Sequence, residues 1–221
     1  MSLENSYKKS LHPAFPYPLY LVVSEEFCTQ LSYLQVVEQA LQGGVSMVQL
    51  REKQATSASF LAKAFRVKEI TDAYSVPLII NDNLTVAMQV DAAGIHVGNR
   101  DISPQEIAYC WPNKLIGYSI EYWQQLQSPA IAYASYLGVS PVFSTATKVD
   151  TVTEWGIPGI QAIRKATDLP LVAIGNMQVD NCADVWQAGA DSIAVVSALC
   201  KAKDPSYQAQ LLLNQLSYEA L

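Results

Sequence analysis

Residues 77–82 read PLIIND: after the proline come three apolar residues without a break, then an asparagine and an aspartate. A strand with one wet face alternates apolar and polar side chains, whereas a strand covered on both faces is apolar throughout. The run therefore predicts a buried strand of a parallel sheet whose far end turns abruptly polar. The same form recurs at 19-LYLVVS-24, 47-MVQLR-51, 94-GIHVG-98, 115-LIGYSI-120, 136-YLGVSPV-142, 169-LPLVAIG-175 and 191-DSIAVVS-197, which brings the strand candidates to eight. Between them lie stretches of helical period. In 31–44, Leu31, Leu34, Val37, Ala40 and Leu41 share a face and two glycines stop the helix; in 57–75 the face is Phe60, Leu61, Ala64, Phe65, Lys68 and Ile70. Further helices are expected over 158–168, with Pro158 in the first turn, over 178–190, with Gly189 near its end, and over 205–221, burying Leu211, Leu212 and Leu216. Alternating strands and helices point to βα units. Eight such units in 221 residues predict the α/β class and a (β/α)8 TIM barrel, a single domain over 19–221 behind an irregular lead-in over 1–18. An open doubly wound sheet is the other arrangement, but no G-x-G-x-x-G follows the first strand.

Half of the residues are hydrophobic and 15% are charged, enough apolar material for a large core and too little charge for a disordered chain. A net charge of −6 argues against nucleic acid as a partner, since phosphate contacts need a basic surface. Any anionic ligand must then be held by local cations. Cys28, Cys110, Cys182 and Cys200 show no C-x-x-C or finger spacing and read as reduced residues. No apolar run has the length of a signal peptide or of a membrane span, so a cytoplasmic protein without a membrane partner is expected.

In a barrel of this kind function sits at the C-terminal strand ends, and polar residues gather there. Strand two continues into Gln49, Arg51 and Lys53, alternate positions that share one direction; the two cations read either as an anion site or as solvated surface charge. Strand three ends in Asn81 and Asp82, whose carboxylate reads as a helix N-cap, a metal ligand, or both. Strand four ends in His96 and leads to Asp101, a second carboxylate; a lone histidine on an apolar strand is more often structural than catalytic. Magnesium prefers oxygen ligands and bridges substrate phosphates, which suits two aspartates on adjacent strand ends. Strand five brings Ser119. The stretch 139-VSPVFSTATKVDT-151 adds Thr145, Thr147 and Lys148, which read either as an ordinary polar loop or as a phosphate grip. Gly175, Asn176, Val196 and Ser197 end the last two strands, where free backbone N–H groups commonly hold phosphate in this fold.

The ordered motifs VQLREK, LIINDN, GIHVGNRD, IGYS, SPVFSTATK, LPLVAIGN and GADSIAVVSAL, spread over about residues 19–200, resemble the thiamine phosphate synthase family. The resemblance implies a (β/α)8 barrel and a transferase of thiamine biosynthesis. Its members couple 4-amino-5-hydroxymethyl-2-methylpyrimidine diphosphate with 4-methyl-5-(2-phosphooxyethyl)thiazole to give thiamine phosphate and diphosphate. It implies Mg²⁺ as cofactor on Asp82 and Asp101, and pyrimidine diphosphate on Gln49, Arg51, Lys53, Asn81, Ser119 and Lys148. The catalytic burden then falls on Arg51, Lys53, Ser119 and Lys148. Thiazole phosphate falls to Thr145, Thr147, Gly175, Asn176, Val196 and Ser197. The partners implied are phosphorylated small molecules, and a homodimer is allowed for. The chain departs from the family pattern at Ser140, Asn99, Arg100 and Asn176. Two rival functions share the fold: a thiazole tautomerase, which uses a histidine where Glu121 stands, and a non-catalytic binder of thiamine phosphate.

Overall fold

The computed structural model describes residues 9–144 and 153–216, together with the backbone of 218–219. The strands are β1 (Lys9–Ser10), β2 (Leu19–Val23), β3 (Met47–Leu50), β4 (Leu78–Asn81), β5 (Gly94–Val97), β6 (Leu115–Ile120), β7 (Tyr136–Val139), β8 (Leu171–Ile174), β9 (Ser192–Val195) and β10 (Tyr218–Glu219). β2 to β9 pair in chain order, each parallel to the next, and β9 closes on β2, so the sheet is a closed barrel as expected. All eight predicted strands are present. The apolar run of 77–82 is fully buried over β4 because helices cover it outside and side chains fill the barrel within.

The helices are α1 (Tyr33–Gln42), α2 (Ser57–Ala73), α3 (Leu84–Gln89), α4 (Pro104–Cys110), α5 (Gly156–Ala166), α6 (Cys182–Gln187), α7 (Ser197–Cys200) and α8 (Pro205–Gln215). Caps explain several starts. Ser32 and Ser103 form capping boxes with Gln35 and Glu106, and Thr56 accepts from the Ser59 N–H. Between β6 and β7 there is no α-helix but two 3-10 turns, Trp123–Gln127 and Pro129–Tyr133, separated where Pro129 removes a donor.

Several expectations are corrected in detail. The buried stripe of α2 is Phe60, Ala64, Val67 and Thr71, while Phe65 is exposed and Lys68 bonds Asp72 one turn on. β7 stops at Val139 because Pro141, in a cis peptide with Ser140, has no N–H to give the ladder. α5 begins two residues before Pro158, which still sits in the first turn where a missing N–H costs nothing. α6 is shorter than 178–190, since Asn181 Oδ1 accepts from the Gln178 N–H and holds that segment as a turn. The last helix ends at Gln215, and Leu212 and Leu216 are buried while Leu211 is half-buried.

From Lys9 on, the lead-in carries short regular pieces. β1 pairs with β10, and Phe15, fully buried, enters the barrel's interior layer with Tyr20, Val22, Met47, Ile79, Tyr136, Val172 and Ala194. Asp191, just before β9, clamps this N-terminal end of the barrel. Its carboxylate accepts from Lys9 Nζ at 2.9 Å, Arg164 Nη1 at 2.8 Å and the Leu171 N–H at 2.9 Å, with only 5% of the side chain exposed. No helix among the described residues is long and apolar enough to cross a membrane.

Candidate active site

At the opposite end, the C-terminal ends of the strands surround a cavity of about 320 Å³. Gln49, Arg51, Lys53, Asn81, Asp82, Asp101, Ser119, Gly175, Asn176, Val196 and Ser197 all line it. Residues distant in the chain are thus brought together as the polar strand ends suggest. Thr145, Thr147 and Lys148 lie outside the described residues.

Each side chain is placed by local geometry. After β3 the chain runs Arg51, Glu52, Lys53, and the two cations line the cavity while Glu52 does not. Glu52 accepts from Lys63 Nζ at 2.5 Å and from the Glu25 N–H at 2.8 Å, tying α2 and the loop after β2 to this strand end. Burial alone would push the Lys63 ammonium down, but its bonds to Glu25 and Glu52 outweigh that and hold it above the ordinary lysine range. Arg51 lies at the outer limit of ion pairing with Glu26, 4.0 Å away.

β4 delivers Asn81 and Asp82. Asp82 has φ 58°, in the left-handed region that an aspartate tolerates better than most residues, and its N–H donates to the His96 carbonyl at 2.9 Å. The helix-cap reading of Asp82 is settled here: Asn83 caps α3, its Oδ1 accepting from the Val86 N–H at 3.0 Å. The Asp82 carboxylate is left to face the cavity, where Lys53 Nζ bonds it. Burial raises the Asp82 carboxyl above its ordinary value, Lys53 pulls it back, and the negative charge of neighbouring Asp101 raises it further. Asp101 is itself fixed by the Gly98 N–H, which donates to Oδ2 at 2.7 Å.

Two adjacent carboxylates fit magnesium, which takes oxygen ligands, keeps several waters and is completed by substrate phosphates. Among the described residues no group of three or more His, Cys, Asp or Glu could hold a metal. The donor set therefore suits an ion shared with a phosphorylated ligand rather than one caged by protein.

Across the mouth, Gly175 (φ 119°) and Asn176 (φ 51°) turn the chain after β8, and the Asn176 carbonyl accepts from Asn181 Nδ2 at 2.9 Å. A side chain at Gly175 would meet Pro141 Cβ at 2.7 Å, so only glycine lets the two rim segments approach. α7 starts at Ser197, and the first N–H groups of a helix have no partner within it.

The chain is matched over residues 19–199 by the family model for thiamine monophosphate synthase. It belongs to that family. The thiamine-phosphate synthase of Albidiferax ferrireducens is 45% identical over 200 residues, covering 90% of either chain. That of Vibrio campbellii is 42% identical over 201 residues, covering 90% of this chain and 97% of the relative. Among solved structures, thiamine phosphate pyrophosphorylase from Pyrococcus furiosus superposes with a TM-score of 0.83 at 27% identity, covering 93% of this chain and 98% of that one.

Within this family member His96, read from the sequence as a strand-end residue, also lines the cavity: its Nε2 lies 2.9 Å from Ser119 Oγ and its Nδ1 3.2 Å from Tyr136 OH. Several further cavity residues escape the strand-end reading. Tyr20, Phe27, Asn99, Arg100, Glu121 and Met177 also line the cavity. The strand alternation that groups Gln49 with Arg51 also points Tyr20 inward with Val22, and Tyr136 inward with Gly138. That signal is present in the sequence. Arg100 and Glu121 have no such signal, because they stand on loops after the strands end.

Proposed function

We propose that the protein is a thiamine phosphate synthase, a transferase that joins 4-amino-5-hydroxymethyl-2-methylpyrimidine diphosphate to 4-methyl-5-(2-phosphooxyethyl)thiazole and releases diphosphate. The observation that carries this reading is the meeting of Arg51 and Lys53 with two neighbouring carboxylates at one barrel mouth, in a chain of this family.

Breaking the bond from the pyrimidine methylene to the diphosphate oxygen gathers negative charge on the leaving group, while the aminopyrimidine ring spreads the positive charge left behind. Stabilising that leaving group is the main catalytic task. Arg51 and Lys53 neutralise diphosphate oxygens, and Lys53 exchanges its Asp82 partner for the ligand as it arrives. Asp82 and Asp101 would hold Mg²⁺, which would supply further positive charge to stabilise the leaving group. Gln49, Asn81 and Ser119 orient the pyrimidine. Val22, Val172, Ile174 and Ala194 give the cavity an apolar wall that keeps water from the reacting methylene. Gly175, Asn176, Val196 and Ser197 seat the thiazole phosphate, joined by Thr145 and Thr147, and Lys148 joins the diphosphate contacts; these last three belong to the proposal on sequence grounds alone. The thiazole nitrogen attacks with its own lone pair and needs no general base. A cytoplasmic setting suits four free cysteines.

The test is to supply both substrates and follow diphosphate with and without Mg²⁺. Metal-dependent release is expected, and Asp82→Ala lowers turnover about a hundredfold or more with a smaller loss of thiazole phosphate affinity. Binding of thiamine phosphate with no coupling under any of these conditions would overturn the reading.

A further inference from the structure

At the cavity floor five side chains from five strands form one continuous chain of hydrogen bonds. Gln49 Nε2 donates to Tyr20 OH at 2.9 Å, Tyr20 OH meets Tyr136 OH at 3.0 Å, Tyr136 OH meets His96 Nδ1 at 3.2 Å, and His96 Nε2 meets Ser119 Oγ at 2.9 Å. Gln49, Tyr20, His96 and Ser119 line the cavity, whereas Tyr136 in the middle is fully buried and does not.

The fold makes room for this chain. In the β5–β6 register His96 stands opposite Gly117, and in the β6–β7 register Ser119 stands opposite Gly138. A Cβ on Gly117 would overlap His96 Nδ1 and the Tyr136 hydroxyl, and one on Gly138 would come within 2.8 Å of His96 Cε1. The imidazole thus lies in a slot that two glycines leave open, stacked on the Tyr136 ring with centroids 5.6 Å apart.

With Gln49 Nε2 as the donor to Tyr20, proton counting gives the direction. Each phenol has one proton, and burial pushes both Tyr20 and Tyr136 well above the ordinary tyrosine range, so both stay neutral. Tyr20 accepts from Gln49 and so spends its proton on Tyr136; Tyr136 then spends its own on His96 Nδ1. The reverse order would leave a buried hydroxyl proton with no acceptor, which is costly. With Nδ1 accepting, a neutral imidazole carries its proton on Nε2 and donates to Ser119 Oγ. The serine hydroxyl proton is then left for the ligand, and Gln49, with one of its two N–H groups spent on Tyr20, offers Oε1.

We infer that Tyr20, Tyr136 and His96 are positioning residues forming a one-way relay, which presents an acceptor at Gln49 and a donor at Ser119 and so selects a 4-aminopyrimidine over its 4-oxo counterpart. An amino group and a ring-nitrogen lone pair complement that pair, whereas replacing the amino group by a carbonyl sets acceptor against acceptor. This rests on the reading of Gln49 and Ser119 as pyrimidine contacts.

The test is calorimetric titration of the full chain with the 4-amino and 4-oxo forms of the hydroxymethylpyrimidine diphosphate, in wild type, Tyr136→Phe and Tyr20→Phe. Wild type should prefer the amino form by about a hundredfold or more, and removing either phenol oxygen should shrink the preference to within about tenfold, because the outer groups are then free to reverse. A wild type without preference, or variants in which both affinities fall in parallel with the ratio intact, would overturn the relay while leaving the coupling reaction standing. A wild type that binds neither compound would overturn the functional reading and the relay with it. Should the variants not fold, ¹⁵N spectra of the wild-type histidines decide, since there are only two to assign. Protonation of His96 at Nε2 is expected, and a proton on Nδ1 would overturn the direction.

Discussion

Replacing Asp191 by asparagine keeps the shape of the clamp at the N-terminal end of the barrel and removes its charge. The carboxylate takes three donors, Lys9 Nζ and Arg164 Nη1 at 2.9 and 2.8 Å and the Leu171 N–H at 2.9 Å. An amide offers one oxygen and turns an NH₂ towards one of those donors, so either a buried backbone N–H loses its partner or a cation loses its counter-charge and keeps only carbonyls, Ala190 for Lys9 and Thr167 and Leu169 for Arg164. Breaking a buried ion pair costs about 3–5 kcal/mol, chiefly because the remaining charge stays uncompensated. Here the cations keep 30% and 25% of their side-chain exposure and can turn partly to water, which reduces that figure. The expected loss is about 2–4 kcal/mol, and at 2–4 °C per kcal/mol for a chain of this size it lowers Tm by roughly 4–16 °C. Thermal unfolding followed by circular dichroism measures it. Because the residues are in contact, Arg164→Met together with Asp191→Asn should cost less than the sum of the two alone, the guanidinium without its counter-charge having gone. Turnover at 25 °C should stay within about twofold of wild type, the clamp being at the end of the barrel away from the cavity. A variant whose Tm lies within about 2 °C of wild type would refute the reasoning.

Three further outcomes are expected. Gly138→Ala places a methyl 2.8 Å from His96 Cε1; it should lower stability by about 1–3 kcal/mol in urea and weaken pyrimidine diphosphate binding, and an unchanged midpoint would contradict the slot. Asn83→Ala removes the cap of α3 and should cost about 1 kcal/mol in the same assay, a loss that asparagine's replacement by serine or aspartate largely avoids. The Cys28 and Cys200 Sγ atoms donate to the Ser24 and Val22 carbonyls, and the neighbouring Cys200 thiol lowers the Cys28 pKa against the opposing effect of burial; in a Cys110→Ala background, Cys200→Ala should move the alkylation profile of Cys28 to higher pH and slow its reaction with iodoacetamide at neutral pH. No movement, or movement to lower pH, would refute that coupling.

The barrel was legible because both faces of each strand are covered, so that runs such as Leu78–Ile80 and Ile193–Val195 carry no polar interruption. The strand-end residues were legible for the same reason, since a polar group at the end of an apolar run has to face something. Two kinds of feature stayed hidden. Asn83, and not its neighbour Asp82, caps α3, a choice made by the left-handed backbone at Asp82 that no composition pattern reports. The inner hydrogen-bond chain needs register, since only the closed sheet sets Gly117 and Gly138 beside His96. The face of α2 was misplaced because its apolar residues are spread around the helix, and only packing decides that Phe65 faces outward.

The seam between β2 and β9, and the pair β1–β10 beneath it, join segments from opposite ends of the sequence. A ribosome adding about 5–20 residues per second therefore exposes the first barrel strand for on the order of ten seconds or more before its partner exists. Until then the growing sheet has two unpaired edges built from Leu, Ile and Val, the kind of template on which other chains add. A transcript cut short after β8 would leave that state permanent, so truncated products of this gene should accumulate as aggregates or chaperone clients rather than as smaller soluble proteins.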